Sequence, residues 1–171
     1  MTEVFLNQAA RSPGRLVLAD QTSGDVSYRR LILGLLLMVK AIRALPGQYV
    51  GIMLPASVGA GLFYLSVLFA GKTPVMINWT TGSRNLVHSL DLLGVDRVIT
   101  AKALLAKLQT LGIDLAPLVG RFVLVEDLRA QLTLRQKIVA MARSYVGWSP
   151  LRRGTPPEVA VVLFTSGSES L

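Results

Sequence analysis

Short apolar runs alternate along the chain with segments in which apolar residues recur every three or four positions. The short runs predict strands at residues 16–19, 49–54, 75–78, 97–100, 122–125 and 159–164. The periodic segments predict helices at residues 28–43, 57–70, 83–93, 102–111 and 133–148. Alternating strands and helices are typical of the α/β class, so we expect a layered, mostly parallel sheet flanked by helices.

The longest uncharged segment, residues 44–71, has two interpretations. One is a membrane-spanning helix, and the other is a buried parallel strand followed by a helix that is covered on both sides. Pro46, Gly47 and Pro55 interrupt the segment, and its helix-compatible part would rise only about 21 Å against a hydrocarbon core of about 30 Å. We favour the buried strand and helix, and a small integral membrane protein stays open as an alternative.

The composition indicates one globular domain that favours an anionic partner. The chain has 171 residues, of which 51% are hydrophobic and 16% are charged, and this is enough for a sizeable core. The formal net charge of +8 favours phosphate, a nucleotide, an acidic carrier protein or an anionic lipid surface. The mean hydropathy of +0.51 indicates either membrane contact or apolar surface that packs against further polypeptide.

The absence of cysteine narrows the possible chemistry. It excludes disulfides, cysteine-ligated metals and cysteine nucleophiles, and it suits a reducing compartment. The N-terminus has no basic segment followed by an apolar core, so no signal peptide is predicted and we expect a cytoplasmic protein. The basic residues are scattered without interleaved aromatic residues, so no nucleic-acid binding is expected.

The segment at residues 133–148 predicts a basic amphipathic helix. Its apolar residues recur at helical spacing and are Leu134, Ile138, Met141, Tyr145 and Trp148. Arg135, Lys137 and Arg143 lie on its flanks. We expect the apolar stripe to pack on the domain. The alternative is peripheral contact with an anionic membrane, at the inner face of the cell membrane.

No group of side chains predicts a catalytic or metal-ligating centre. His88 is the single histidine and has no cluster of acidic residues around it in the predicted helix, so we interpret it as a surface or boundary residue. Glu126 and Asp127 fit the first turn of a helix, where the helix dipole favours carboxylates. We therefore assign no catalytic residue and no metal ligand.

The last predicted strand runs directly into a segment of hydroxyl residues and glycine. Hydroxyls and backbone N–H groups can surround phosphate oxygens, and glycine lets the backbone approach them closely. The segment is not a Walker loop, which needs Gly-Lys-Ser/Thr at the start of a helix, and ordinary turns use the same residue types. The candidate ligand-binding residues are Thr165, Ser166, Gly167, Ser168, Glu169 and Ser170.

Three segments of the chain resemble the adenylate-forming superfamily of acyl-CoA synthetases, luciferases and adenylation domains. Val162-Leu163-Phe164-Thr165-Ser166-Gly167-Ser168 resembles the superfamily's phosphate loop. Upstream, Val50-Gly51-Ile52-Met53-Leu54-Pro55 and Ala70-Gly71-Lys72-Thr73-Pro74-Val75 are similar to its N-terminal subdomain in order and spacing.

Within the superfamily, the chain is most similar to the acyl-acyl-carrier-protein synthetase domain of 2-acylglycerophosphoethanolamine acyltransferase-type proteins. The likeness is carried by Met76-Ile77-Asn78-Trp79-Thr80-Thr81-Gly82, Val123-Leu124-Val125-Glu126-Asp127-Leu128-Arg129 and Leu163-Phe164-Thr165-Ser166-Gly167-Ser168-Glu169. Glu169 is typical of this branch, whereas most of the superfamily has threonine there.

The resemblance implies both an organisation and an activity. Residues 1–171 would form part of an N-terminal subdomain, with a linker rich in proline and arginine at 149–158 and a truncated phosphate loop at 165–171. The intact parent would use ATP and Mg²⁺ to convert a fatty acid to acyl-AMP, and would then pass the acyl group to acyl carrier protein or CoA. The superfamily's loop lysine would follow Leu171, so we expect the chain alone to be inactive. A non-catalytic α/β interaction module is the alternative.

Overall fold

The computed structural model describes residues 1–164, along which helices and strands alternate. The helices are α1 (Thr2–Arg11), α2 (Tyr28–Arg43), α3 (Val58–Phe69), α4 (Ser83–Leu93), α5 (Lys102–Thr110), α6 (Val125–Ala130), α7 (Leu134–Val146) and α8 (Ser149–Arg152). The strands are β1 (Leu16–Asp20), β2 (Gly24–Ser27), β3 (Tyr49–Ile52), β4 (Thr73–Met76), β5 (Val98–Thr100), β6 (Phe122–Leu124) and β7 (Val162–Leu163). Short 3₁₀ helices occupy Trp79–Thr81 and Ala116–Arg121.

Five strands form the central sheet in the order β6-β5-β3-β4-β7, and every neighbouring pair is parallel. Parallel neighbours need a crossover connection, which the intervening helices supply. The strands β1 and β2 pair antiparallel as a separate hairpin. The predicted α/β fold, with a parallel sheet flanked by helices, is confirmed.

Helices cover both faces of the sheet. On one face, α4 and α5 contribute buried residues that include Leu86, Leu90, Leu104 and Leu108. On the other face, α2, α3 and α6 contribute buried residues that include Met38, Phe63, Val67 and Val125. Because both faces are covered, the central strands are apolar at nearly every position.

The uncharged segment at residues 44–71 contains β3 and α3. The strand β3 lies between β5 and β4, and its Val50 and Ile52 are fully buried. The helix α3 has 12 residues and packs Phe63 on the sheet, while its Leu65 contacts the cluster formed by α1 and α2. The predicted buried strand with a helix covered on both sides is therefore confirmed. Within residues 1–164, no helix combines the length and the apolar character needed to cross a bilayer.

Hydroxyl side chains cap the N-termini of the helices α2, α3 and α7. Ser27 Oγ accepts a hydrogen bond from the backbone N–H of Arg30 at 3.4 Å and so caps α2. Ser57 caps α3 in the same way. Thr133 and Gln136 form a reciprocal capping box at the start of α7, which satisfies two backbone donors that the helix itself cannot pair.

Several boundaries differ from those expected from the sequence, and β7 is shorter than predicted, at Val162–Leu163 rather than residues 159–164. The strand β4 begins at Thr73 rather than at residue 75, and the backbone N–H of Thr73 donates to the carbonyl of Gln48 at 2.9 Å. Pro74 is accommodated because β7 joins β4 only from Val75 onward, so no donor is required from residue 74 on that side. The segment at 149–158 starts with α8, whose Leu151 is buried beside α1 and α2.

Candidate functional site

The carboxyl ends of β4 and β7 lie side by side at one edge of the sheet. Val75 pairs with Val162, and Met76 pairs with Leu163. Ile77, which follows β4, is buried, and Phe164, which follows β7, packs against the same cluster as Ile77. The connections that leave these two strands therefore start next to each other, at the edge where open α/β sheets bind ligands.

Asn78 organises the connection after β4. Its Oδ1 accepts hydrogen bonds from the backbone N–H of Thr80 at 3.1 Å and from Thr80 Oγ1 at 2.8 Å. Thr81 Oγ1 donates to the Asn78 carbonyl at 2.9 Å. This local pattern is an Asx turn that starts the 3₁₀ helix. It places an amide and two hydroxyl groups at the carboxyl edge, and all three lie on exposed or half-buried residues.

The same connection passes into α4 through Gly82. The backbone of Gly82 has φ +85°, a conformation that residues with a Cβ rarely adopt. Asn85 Nδ2 on the first turn of α4 donates to the Thr81 carbonyl at 3.1 Å and holds the turn against the helix. The sequence does not predict a site role for Asn78 or Gly82 beyond the family resemblance, and the signal for the turn is an Asx residue directly after an apolar strand.

The predicted phosphate-binding residues Thr165, Ser166, Gly167, Ser168, Glu169 and Ser170 lie outside the described residues. The structure therefore places the strand that precedes them and leaves their own assignment a prediction. The strand pairing also shows that the segment after β4 begins beside the end of β7.

At the other side of the carboxyl edge, β5 and α6 meet the start of α5. Glu126 Oε1 accepts a hydrogen bond from the backbone N–H of Lys102 at 3.0 Å, and Asp127 forms an ion pair with the Lys102 side chain at 3.5 Å. Both acidic residues lie in the first turn of α6, as the sequence predicts. Within the described part of the chain, the buried atoms Thr100 Oγ1 and Glu126 Oε2 have no hydrogen-bond partner.

Asp20, at the end of β1, joins the hairpin to the start of α3. Its carboxylate accepts hydrogen bonds from the backbone N–H groups of Ser23, Val58 (2.6 Å) and Thr22 (2.9 Å). These bonds stabilise the ionised form and hold the pKa of Asp20 below its usual value, the bond from Ser23 having the largest effect. The Val58 bond satisfies an N-terminal donor of α3, so Asp20 is a structural tie rather than a catalytic group.

Lys72 lies before β4, at the opposite edge of the sheet. Its Nζ donates to the carbonyl of Gly47, and partial burial lowers the pKa of its ammonium group. Lys72 belongs to the sequence motif that resembles the superfamily, but its place before the strand separates it from the carboxyl edge. His88 is exposed on α4.

The orientation of α7 differs from the prediction. Its apolar stripe packs on the domain only at Trp148, which contacts the cluster formed by α1, α2 and α8, whereas Ile138 and Tyr145 are 60% and 64% exposed. The residues that α7 buries are Ala140 and Ser144. Their small side chains allow the helix to approach α2 closely, and Arg29 on α2 stacks over the Tyr145 ring at 4.5 Å from its centroid.

Solved structures share this fold. The N-terminal subdomain of NpsA from Klebsiella oxytoca is 19% identical, with a TM-score of 0.62, and the match covers 98% of this chain and 39% of that chain. A benzoate CoA ligase from Burkholderia xenovorans is 17% identical, with a TM-score of 0.60 and coverage of 77% and 28%. The N-terminal domain of FACL13 from Mycobacterium tuberculosis, solved with an inhibitor, is 15% identical, with a TM-score of 0.58 and coverage of 90% and 35%. The chain thus spans about a third of the length of these structures.

The fold and the site define an open α/β protein of the kind that binds ligands at the carboxyl edge of its sheet. The family model described as AMP-binding enzyme matches residues 5–171. The chain therefore belongs to the AMP-binding enzyme family, and its sheet and helices are those of the N-terminal subdomain of adenylate-forming ligases.

Proposed function

We propose that this chain is the N-terminal part of an ATP-dependent, AMP-forming ligase for fatty acids. In the intact enzyme, a carboxylate oxygen of the fatty acid attacks the α-phosphorus of ATP and pyrophosphate leaves. A thiolate then attacks the acyl carbon of acyl-AMP and AMP leaves. The chain alone does not complete this reaction, because it spans about a third of the comparable ligase structures.

The observation that carries the proposal is the position of β7. This strand ends at the carboxyl edge beside β4, and the sequence that follows it is Thr165-Ser166-Gly167-Ser168-Glu169-Ser170. We assign these residues to the loop that holds the β and γ phosphates of ATP. Hydroxyl and backbone N–H donors at such a loop can surround the phosphate oxygens, and the resemblance implies that a loop lysine following Leu171 adds positive charge.

Mg²⁺ would neutralise charge between the triphosphate and the incoming carboxylate. The connection that follows β4 at this edge carries the neutral residues Asn78, Thr80 and Thr81, which add no negative charge there. Amide and hydroxyl oxygens suit hydrogen bonding to phosphate-bound water more than they suit primary ligation of the ion, so we place no metal ligand among them.

The choice of a fatty acid and of a carrier-protein or CoA thiol rests on the sequence likeness to the acyl-acyl-carrier-protein synthetase branch. Glu169 is part of that likeness. The net charge of +8 favours anionic partners such as ATP and an acidic carrier protein. The absence of cysteine suits a reducing compartment as the place of this reaction.

The test is pyrophosphate exchange by the protein translated from the complete reading frame that contains this chain. We expect exchange of labelled pyrophosphate into ATP that depends on added fatty acid. Thr165→Ala and Ser166→Ala should each raise the KM for ATP by about tenfold to a hundredfold, the value of a hydrogen bond to a charged group. Ser149→Ala, an exposed hydroxyl residue on α8, is the matched control and should change nothing.

If only aromatic acids supported exchange, the ligase assignment would stand, but the proposal of a fatty-acid substrate would be wrong. No exchange with any acid, from protein that is folded and complete, would reject the ligase and favour the interaction module.

A further inference from the structure

A groove of about 700 Å³ lies between α2, α7 and α8. Its floor is apolar and includes Leu36, Val39 and Leu151. The charged side chains that line it are all basic, and they are Lys40, Arg43, Arg135, Arg143 and Arg153. An amphiphilic anion would match both the charge of the walls and the apolar floor.

Carboxylates do not neutralise these cations within residues 1–164. The two ion pairs there involve Asp91 on α4 and Asp127 on α6, neither of which lines the groove. Arg43 Nη2 donates to the backbone carbonyl of Phe69 at 3.0 Å, which is a neutral acceptor. The groove therefore has positive charge that an external anion can balance.

An apolar ridge runs along another side of α7. It consists of Leu134, Ile138, Met141 and Tyr145, which are 73%, 60%, 49% and 64% exposed. Residues three or four apart share one side of a helix, so these side chains form a line about 16 Å long. A row of large apolar side chains this exposed is typical of a surface that meets another phase or partner.

The ridge and the groove lie on the two sides of the outward surface of α7, which is opposite the buried Ala140 and Ser144. A helix turns about 100° per residue, so the ridge lies to one side of the buried Ala140 and Ser144, and Val139 and Arg143 lie to the other side. Arg135 lies on the outward surface between the two. One partner that covers both features must present apolar material next to negative charge.

We propose that α7 lies in the plane of an anionic phospholipid leaflet, with the ridge in the boundary between acyl chains and headgroups and the groove around lipid phosphates. Charge complementarity selects this occupant, because long basic side chains reach headgroups while the apolar side of the helix enters the leaflet. Tyr145 suits such a boundary, since its ring is apolar and its hydroxyl is polar. The inference does not depend on the ligase reaction, so either proposal can fail alone.

The test is co-sedimentation of the 171-residue chain with vesicles of phosphatidylcholine, with and without phosphatidylglycerol. We expect binding only when the anionic lipid is present. A variant with Arg135→Gln, Arg143→Gln and Arg153→Gln should bind about a hundredfold more weakly, at about fivefold per cation removed. A variant with Ile138→Ser and Met141→Ser should also lose binding. Leu92→Ser and Lys107→Gln, both exposed on the other face of the sheet, are the matched controls and should bind like wild type.

Thermal melts that match wild type establish that each variant is folded. Equal binding to neutral and anionic vesicles, or unchanged binding by both groove and ridge variants, overturns the proposal. Two other results also overturn it. One is a ridge-dependent dimer without vesicle binding, which would make a second copy the occupant. The other is binding of inorganic phosphate that is as strong as vesicle binding and that the ridge substitutions do not change.

Discussion

Met76 on β4 lies opposite Leu163 on β7 in a parallel register. Each residue is the last of its strand, so the chain leaves both strands at the same level of the sheet. The next residues after Met76 lead to the Asx turn at Asn78, and those after Leu163 lead to the predicted phosphate loop. The pairing explains how segments that are more than eighty residues apart can serve one site.

Asn78 provides a direct test of the first of these connections. Asn78→Ala removes the acceptor of two hydrogen bonds from Thr80, whereas Asn78→Asp keeps an acceptor oxygen at the same place. We expect the Thr80 amide to exchange its hydrogen about fivefold faster in Asn78→Ala, which corresponds to about 1 kcal/mol for a hydrogen bond. Asn78→Asp should stay close to wild type. Equal acceleration in both variants would show that the side-chain oxygen does not hold the turn.

Gly51 tests how tightly β3 is packed. A Cβ at this position would lie 2.7 Å from Ile77 Cδ1 and 2.9 Å from Val98 Cγ2. We expect Gly51→Ala to lower the free energy of unfolding by about 1–3 kcal/mol, because the extra carbon overpacks a filled core. Gly59→Ala is the control, because a Cβ there would lie 3.6 Å from Ser57 Oγ, which is an ordinary contact, and alanine suits a helix. Urea unfolding that ranks the two variants the other way would contradict this packing.

Sequence periodicity predicts the elements whose buried sides are large and apolar. The helix α4 has the predicted bounds, and it ends at Gly94, whose φ of +65° suits a residue without a side chain. The helix α1 is not predicted from the sequence. Its buried residues are Thr2, Leu6 and Ala9, and only one of them is strongly apolar, so no stripe is visible.

The position of a helix and its orientation are different kinds of information. The pattern at residues 133–148 places α7 correctly, but it assumes that the largest apolar side chains face the core. Close approach to α2 is instead made through Ala140 and Ser144, and Ser144 Oγ donates to the Met141 carbonyl at 2.6 Å, which satisfies the buried hydroxyl. Likewise, the sequence predicts a phosphate loop after a strand, but the neighbour of that strand depends on long-range pairing that no local pattern contains.

The orientation of α7 can be tested by two isomeric substitutions on the same helix. Ala140 is buried against the domain and Ala142 is exposed. Ala140→Leu should therefore lower the free energy of unfolding by about 1–3 kcal/mol through overpacking. Ala142→Leu should change it by less than about 0.5 kcal/mol, as expected of a surface position. If chemical denaturation showed the larger loss at residue 142, the apolar ridge would be facing the domain after all.

Asp20 makes the stability of the folded chain depend on pH. Its pKa is lowered in the folded state by the backbone N–H donors of Ser23, Val58 and Thr22, so the ionised carboxylate stabilises the fold. This contribution is fully present above the unfolded-state pKa of about 3.9, and it is lost as the pH falls through the lower folded-state pKa.

We therefore expect Asp20→Asn to unfold at a lower temperature than wild type at neutral pH, and the gap should narrow below about pH 4 as the wild-type carboxylate is protonated. Asp25→Asn is the control, because Asp25 is exposed in the same hairpin and its side chain accepts none of the hydrogen bonds that tie the hairpin to α3. Thermal melts across acid and neutral pH measure the two gaps. A gap for Asp20→Asn that stays constant into acid would mean that the carboxylate charge does not contribute, and that the tie to α3 acts through geometry alone.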